Sequence, residues 1–129
     1  MNPQKKIKSV RDPRYRKWLR GWSCVNCHQY KNANEDIVAA HQTIPELKYI
    51  SVKGTGQKEH DNWCLPMHKT EHDIIDHMYG QKPKDRVVKI IDLNMEYLFN
   101  YNTKLYKKVI ELMPRRTEVQ VLEYITRNW

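Results

Sequence analysis

A chain of 129 residues, with 23 Lys and Arg against 15 Asp and Glu and a formal net charge of +8, has the size of one modest domain and the charge of a protein that meets polyanions. Mean hydropathy is −0.87, no run approaches the ~20 apolar residues of a membrane helix, and no apolar N-terminal stretch marks a signal peptide. These features exclude a spanning helix and lead to the expectation of a cytoplasmic protein, with no membrane partner.

The first 23 residues carry eight Lys and Arg and a single acid, Asp12, so most of the excess charge sits there. Within them, Asp12 as N-cap and Pro13 at the first helical position predict a short helix that turns Tyr15, Trp18, Leu19 and Trp22 toward a core. The basic residues interleaved with these aromatics, Arg11, Arg14, Arg16, Lys17 and Arg20, together with the later Lys58, are the candidate nucleic-acid contacts. The extreme terminus reads as a loose arm.

Ile37 to His41 reads as a short strand, followed by a loop through Pro45 and the Gly54-Thr55-Gly56 turn. Trp63, Leu65 and Met67 alternate with Asn62, Cys64, Pro66 and His68, which predicts a second strand, exposed at an edge because of Pro66. Thr70 to Asp73 resembles a capping box opening a helix that ends at Gly80. From Asp85 an apolar stripe of Val87, Val88, Ile91, Met95, Leu98 and Phe99 runs on through Leu105, Val109, Ile110 and Leu112 to Pro114, and Thr117 caps a last helix bearing Val121, Leu122 and Ile125. The organisation expected is a basic arm and helix over 1–23, a β, β, α core over 24–80 and a helical extension over 81–129, packed on the core or forming a dimer surface.

Two groups of side chains carry chemistry. On the helix expected after Thr70, His72 and Asp76 stand at i and i+4 and share a face, whereas His77 is about 140° away from His72. One imidazole and one carboxylate suit Mg²⁺, Mn²⁺ or a borderline transition metal with open positions. The second group uses sulfur. Cys24-x2-Cys27 is half of a structural zinc site, and His68 with Cys64 completes it if the chain bends at Pro66, since four residues of strand otherwise span about 13 Å; Glu71 has the better spacing from His68. Cys24 to His28 also spells a haem-attachment string, but that chemistry accompanies export. His60 and Asp61, just before the second strand, are candidates for a further ligand or for orienting a base, or else belong to a surface loop.

The succession of basic aromatic helix, Cys24-x2-Cys27, Ala40-His41, Gly54-Thr55-Gly56-Gln57-Lys58, His60-Asp61, Leu65-Pro66-Met67 and Glu71-His72-Asp73 resembles the HNH nucleases of phages and prophages, closest to the recombination-enhancement-function and YbcO-like groups. The resemblance covers roughly residues 11 to 80. It implies an α+β chain with a ββα-metal (His-Me finger) core, in which His41 is the strand histidine and His72 and Asp76 are the helix metal ligands. His68 and Glu71 stand where relatives often have a second cysteine pair, and Ala40 and Gln42 flank His41 where relatives often have a further functional residue.

The implied activity is hydrolysis of DNA phosphodiester bonds, with His41 as general base, Mg²⁺ or Mn²⁺ stabilising charge on the phosphate and the leaving 3′ oxygen, and Zn²⁺ as a structural ion. The alternatives are a zinc-stapled nucleic-acid-binding module without catalysis, and a helical protein that binds a recombination protein. A homodimer through the late helices is a further expectation.

Overall fold

The computed structural model describes residues 7–25, 36–53, 57–69 and 85–129. The chain is α+β, with a small two-stranded antiparallel sheet and helices on both sides of it in sequence. Helix α1 (Pro13–Leu19) starts as its sequence dictates: the Asp12 side chain accepts from the Tyr15 N–H at 3.0 Å and Pro13 fills the first turn. Tyr15 and Leu19, one turn apart, are fully buried.

Strand β1 (Ile37–His41) pairs with β2 (Cys64–His68), Ile37 opposite His68 and His41 opposite Cys64. Pro66 lies in the middle of β2 and is buried, so the expectation of an exposed strand is corrected: all five β2 residues are buried. The Pro66 carbonyl accepts from the Val25 N–H at 3.0 Å, so it faces away from β1, and so does the position where an N–H is missing. A proline is tolerated there because β1 never needed that donor. By the same alternation, His41 and Cys64 form a non-hydrogen-bonded pair, the kind whose side chains approach most closely.

The two faces of the sheet meet different neighbours. Ala40, Leu65 and Met67 enter the main core with Ile44, Leu47, Ile50 and Trp63, while Cys64 and Ala39 pack against Tyr15, Leu19 and Tyr97. The main core is completed by α2 (Arg86–Tyr101), α3 (Thr103–Leu112) and α4 (Glu118–Asn128) through Ile90, Leu98, Val109, Leu122 and Ile125, so the late helices pack onto the sheet layer.

The stripe read to Pro114 is broken at Asn102, whose backbone (φ −152°, ψ 71°) is not helical; its N–H closes α2 on the Leu98 carbonyl and its side chain caps α3 by accepting from the Leu105 N–H at 3.2 Å. Phe99 and Ile110, expected in that stripe, are 56% and 44% exposed, and the inner face of α2 is instead Ile90, Ile91, Asn94, Met95, Tyr97 and Leu98. Thr117 caps α4 in a full capping box with Gln120. No helix among the described residues is long and apolar enough to cross a membrane.

A buried polar network ties these parts together. A 3-10 turn over Asp61–Trp63 leads into β2. From it, the Asn62 amide donates to Asn94 Oδ1 (3.2 Å) and Thr126 Oγ1 (3.0 Å), and the Trp63 indole donates to Thr126 Oγ1 (2.9 Å). Asn94 donates in turn to the Tyr15 hydroxyl (2.8 Å) and the Asn62 carbonyl (2.9 Å). In a low-dielectric interior each such bond is costly to lose, so the network fixes α1, α2 and α4 against the turn that carries Asp61.

Candidate functional site

The turn places Asp61 beneath α1 and beside the end of β1. Its carboxylate is 2% exposed yet surrounded by donors. Oδ2 accepts from the Asp12 N–H (2.6 Å) and Arg16 Nε (3.1 Å), while Oδ1 meets His41 Nε2 at 2.8 Å, with Arg11 Nη1 at 3.6 Å. Burial alone would push this carboxyl up; the hydrogen bonds from His41 and the Asp12 amide and the charges of Arg16 and His41 outweigh it and hold it below the ordinary carboxylate value of 3.8. Asp61 is therefore an anion.

An ionised carboxylate can only accept, so the proton of neutral His41 sits on Nε2 and the lone pair on Nδ1. The His41 side chain is 17% exposed and borders two adjoining cavities. One, of about 540 Å³, runs along β1 and is lined by Val38 to His41, Thr43, Lys53, Gln57, Lys58, Glu59 and Lys69. The other, of about 290 Å³, lies between His41, Asp61, Gln57, Lys58, Arg11 and Arg16. Among the described residues, five cations thus line the two cavities that His41 borders, and the acids on the walls are buried and engaged: Glu59 accepts from the Ser51 hydroxyl and from the Val52 N–H at 2.9 Å. Such a pocket favours an anionic ligand.

The expected pairing of His60 with Asp61 resolves into two roles. His60 is fully buried; its Nδ1 accepts from the Val10 N–H (3.0 Å) and its Nε2 donates to the Ile50 carbonyl (2.8 Å). Both ring nitrogens are occupied, so His60 is no metal ligand, and desolvation lowers its pKa below the ordinary 6.5, keeping it neutral. Asp61 alone faces His41, and a surface-loop role for either residue is ruled out by their burial.

Among the expected nucleic-acid contacts, Arg11 and Arg16 are fastened rather than loose. The Arg11 guanidinium donates to the carbonyls of Val10 (3.0 Å), Glu59 (2.8 Å) and Lys58, holding the 57–59 strip against α1. Both residues are about one third exposed and line the cavity at His41. Arg14 lies over the Tyr101 ring at 4.9 Å, and Lys17, Arg20 and Lys58 are exposed.

The sulfur group is rearranged. The ladder runs unbroken through Pro66, so β2 does not bend back, and Cys64 and His68 stay at opposite ends, about 13 Å apart by strand rise. Cys24 packs in the main core and Cys64 in the α1 cluster. Cys64 is therefore removed from the zinc set of Cys24, Cys27 and His68. It joins another: ligand atoms of His41, Asp61 and Cys64 lie within 4.8 Å of one another, a cluster that could hold a metal ion. Nothing local in the sequence signalled this group, because it depends on strand register. Cys27, Glu71, His72, Asp76 and His77 lie outside the described residues.

The chain matches no family model, no curated protein and no solved structure.

Proposed function

We propose that the protein is a metal-dependent HNH-type endonuclease, with a ββα-metal core that hydrolyses phosphodiester bonds in DNA. The observation that carries this reading is the His41–Asp61 pair at the lip of a cation-rimmed cavity. His41 Nδ1 takes a proton from water, the resulting hydroxide attacks phosphorus, and the bond to the 3′ oxygen breaks. Asp61, held ionised by its donors, stabilises the imidazolium that forms. Arg11, Arg16, Lys53, Lys58 and Lys69 neutralise the phosphates without reading sequence, so binding falls steeply with salt.

In this reading His72 and Asp76 would hold a divalent cation, which would supply charge stabilisation at the phosphate. The described cluster of His41, Asp61 and Cys64 does not suit Mg²⁺, which takes oxygen ligands in octahedral geometry. A structural Zn²⁺ on Cys24, Cys27 and His68 fits the position of Cys24 beside β2, where Val25 bonds to Pro66. A phage origin, a recombination protein as partner, a homodimer and the host cytoplasm are the setting this reading implies.

Purified protein incubated with supercoiled plasmid and Mg²⁺ or Mn²⁺ is expected to nick it, and His41→Ala to lower nicking about 10²–10⁴-fold. Equal cleavage by both proteins refutes the assignment. Salt-sensitive DNA binding with no cutting under any divalent ion selects the non-catalytic zinc-stapled module.

A further inference from the structure

We propose that His41, Asp61 and Cys64 form a thiophilic metal site, of the kind Zn²⁺ fills, whose occupation switches His41 off as a base. The consequence for catalysis rests on the endonuclease reading; the site itself does not.

The antiparallel register sets His41 opposite Cys64 in a close, non-hydrogen-bonded pair, and the 3-10 turn brings Asp61 to the same end of the sheet. The three ligand atoms lie within 4.8 Å of one another, and tetrahedral zinc needs N, O and S roughly 3.3–3.5 Å apart, so side-chain adjustments on the order of 1 Å suffice. The carboxylate divides its work in the required way. Oδ2 is taken by the Asp12 N–H and Arg16, whereas Oδ1 faces the imidazole. The donor set of one thiolate, one imidazole and one carboxylate is borderline-soft and leaves a fourth position for water through the small cavity beside Asp61.

Binding changes the protons in a defined way. The ion replaces the Nε2 proton that now lies between His41 and Asp61, and a neutral imidazole coordinated through Nε2 carries its proton on Nδ1. Nδ1 is the atom that must be bare to accept a proton from water. Asp61 is already an anion and Cys64 gives up its thiol proton to solvent, so one proton is released per ion and affinity falls as pH falls. A hard ion such as Mg²⁺ has little affinity for the thiolate, so the same protein in Mg²⁺ keeps the proton on Nε2.

The test uses the full chain with its proposed structural Zn²⁺ in place, after mild chelation that removes only weakly held metal. Nitrogen NMR of the His41 ring, recorded as Zn²⁺ is added, is expected to show the proton leaving Nε2 and appearing on Nδ1; a ring unchanged at saturating Zn²⁺ overturns the site. Co²⁺ is expected to give a thiolate charge-transfer band, part of which is lost in both Cys64→Ser and Cys64→Ala. Bands of equal strength in all three proteins overturn the role of Cys64. Zn²⁺ should suppress plasmid nicking by the wild type far more than by the two variants; equal suppression overturns the switch. If the wild type nicks under no ion, the endonuclease reading fails, and the NMR shift by itself upholds or overturns the metal site.

Discussion

Residues 59–63 serve two regions of the molecule in opposite ways. Toward α1 and β1, Asp61 uses its bonds to hold one imidazole with a nitrogen open to a cavity. Toward the C-terminal helices, Asn62 and Trp63 use theirs to close a buried network with Asn94 and Thr126. His60, between them, has both nitrogens occupied by backbone. The two histidines thus differ in whether the second ring nitrogen has a backbone partner, and fully buried His60 is the one that has it.

That division can be broken experimentally, and the largest effect is expected on the cavity side. Asp61→Asn removes the charge facing His41 and should lower nicking about 10²-fold or more, chiefly in kcat. Asp61 is buried among its donors, so stability should fall as well and nicking has to be read per folded molecule; full nicking per folded molecule contradicts the role of Asp61. On the interior side, Asn94→Ala removes the donor to the Tyr15 hydroxyl and the Asn62 carbonyl and one of the two acceptors of the Asn62 amide, at a cost of roughly 2–4 kcal/mol in urea unfolding. Nicking per folded molecule should persist, and its disappearance would join the two regions into one.

Acidification probes His60 and Asp61 in sequence. His60 has a lowered pKa, so its contribution is intact above the ordinary value of 6.5 and is lost as pH falls below it, while the unfolded chain takes up the proton first. Asp61, also lowered, adds a further loss below 3.8. Denaturant midpoints that stay flat from pH 7 to about 3 contradict both assignments. The smallest effect is expected from Thr117→Ala, which removes a cap far from either region and should cost about 1 kcal/mol with nicking unchanged.

Local signals made much of the fold legible. Asp12 with Pro13, the strand from Ile37 to His41 and the Thr117 cap each depend on a few adjacent residues, and each appears where the sequence places it. The alternation around Leu65 located β2 but not its burial, because the α1 cluster that covers Cys64 comes from residues about fifty positions away. Hydrophobic periodicity carried the late stripe past Asn102, since a residue that ends one helix and caps the next leaves the apolar spacing almost intact. For the site, His41 was legible from its strand end and Asp61 only as one of two candidates. The nearness of Cys64 was not, because it is a matter of register between strands joined through more than twenty residues.

Pro66 has an effect on what the sheet cannot do. A two-stranded sheet has only edges, and an open edge invites a strand from another molecule. At the centre of β2 that invitation is withdrawn twice: the outward position lacks a donor, and its carbonyl is engaged by Val25. Strand addition along β2 is thereby blocked at its midpoint, and the burial of all five β2 residues closes the rest of that edge to another molecule.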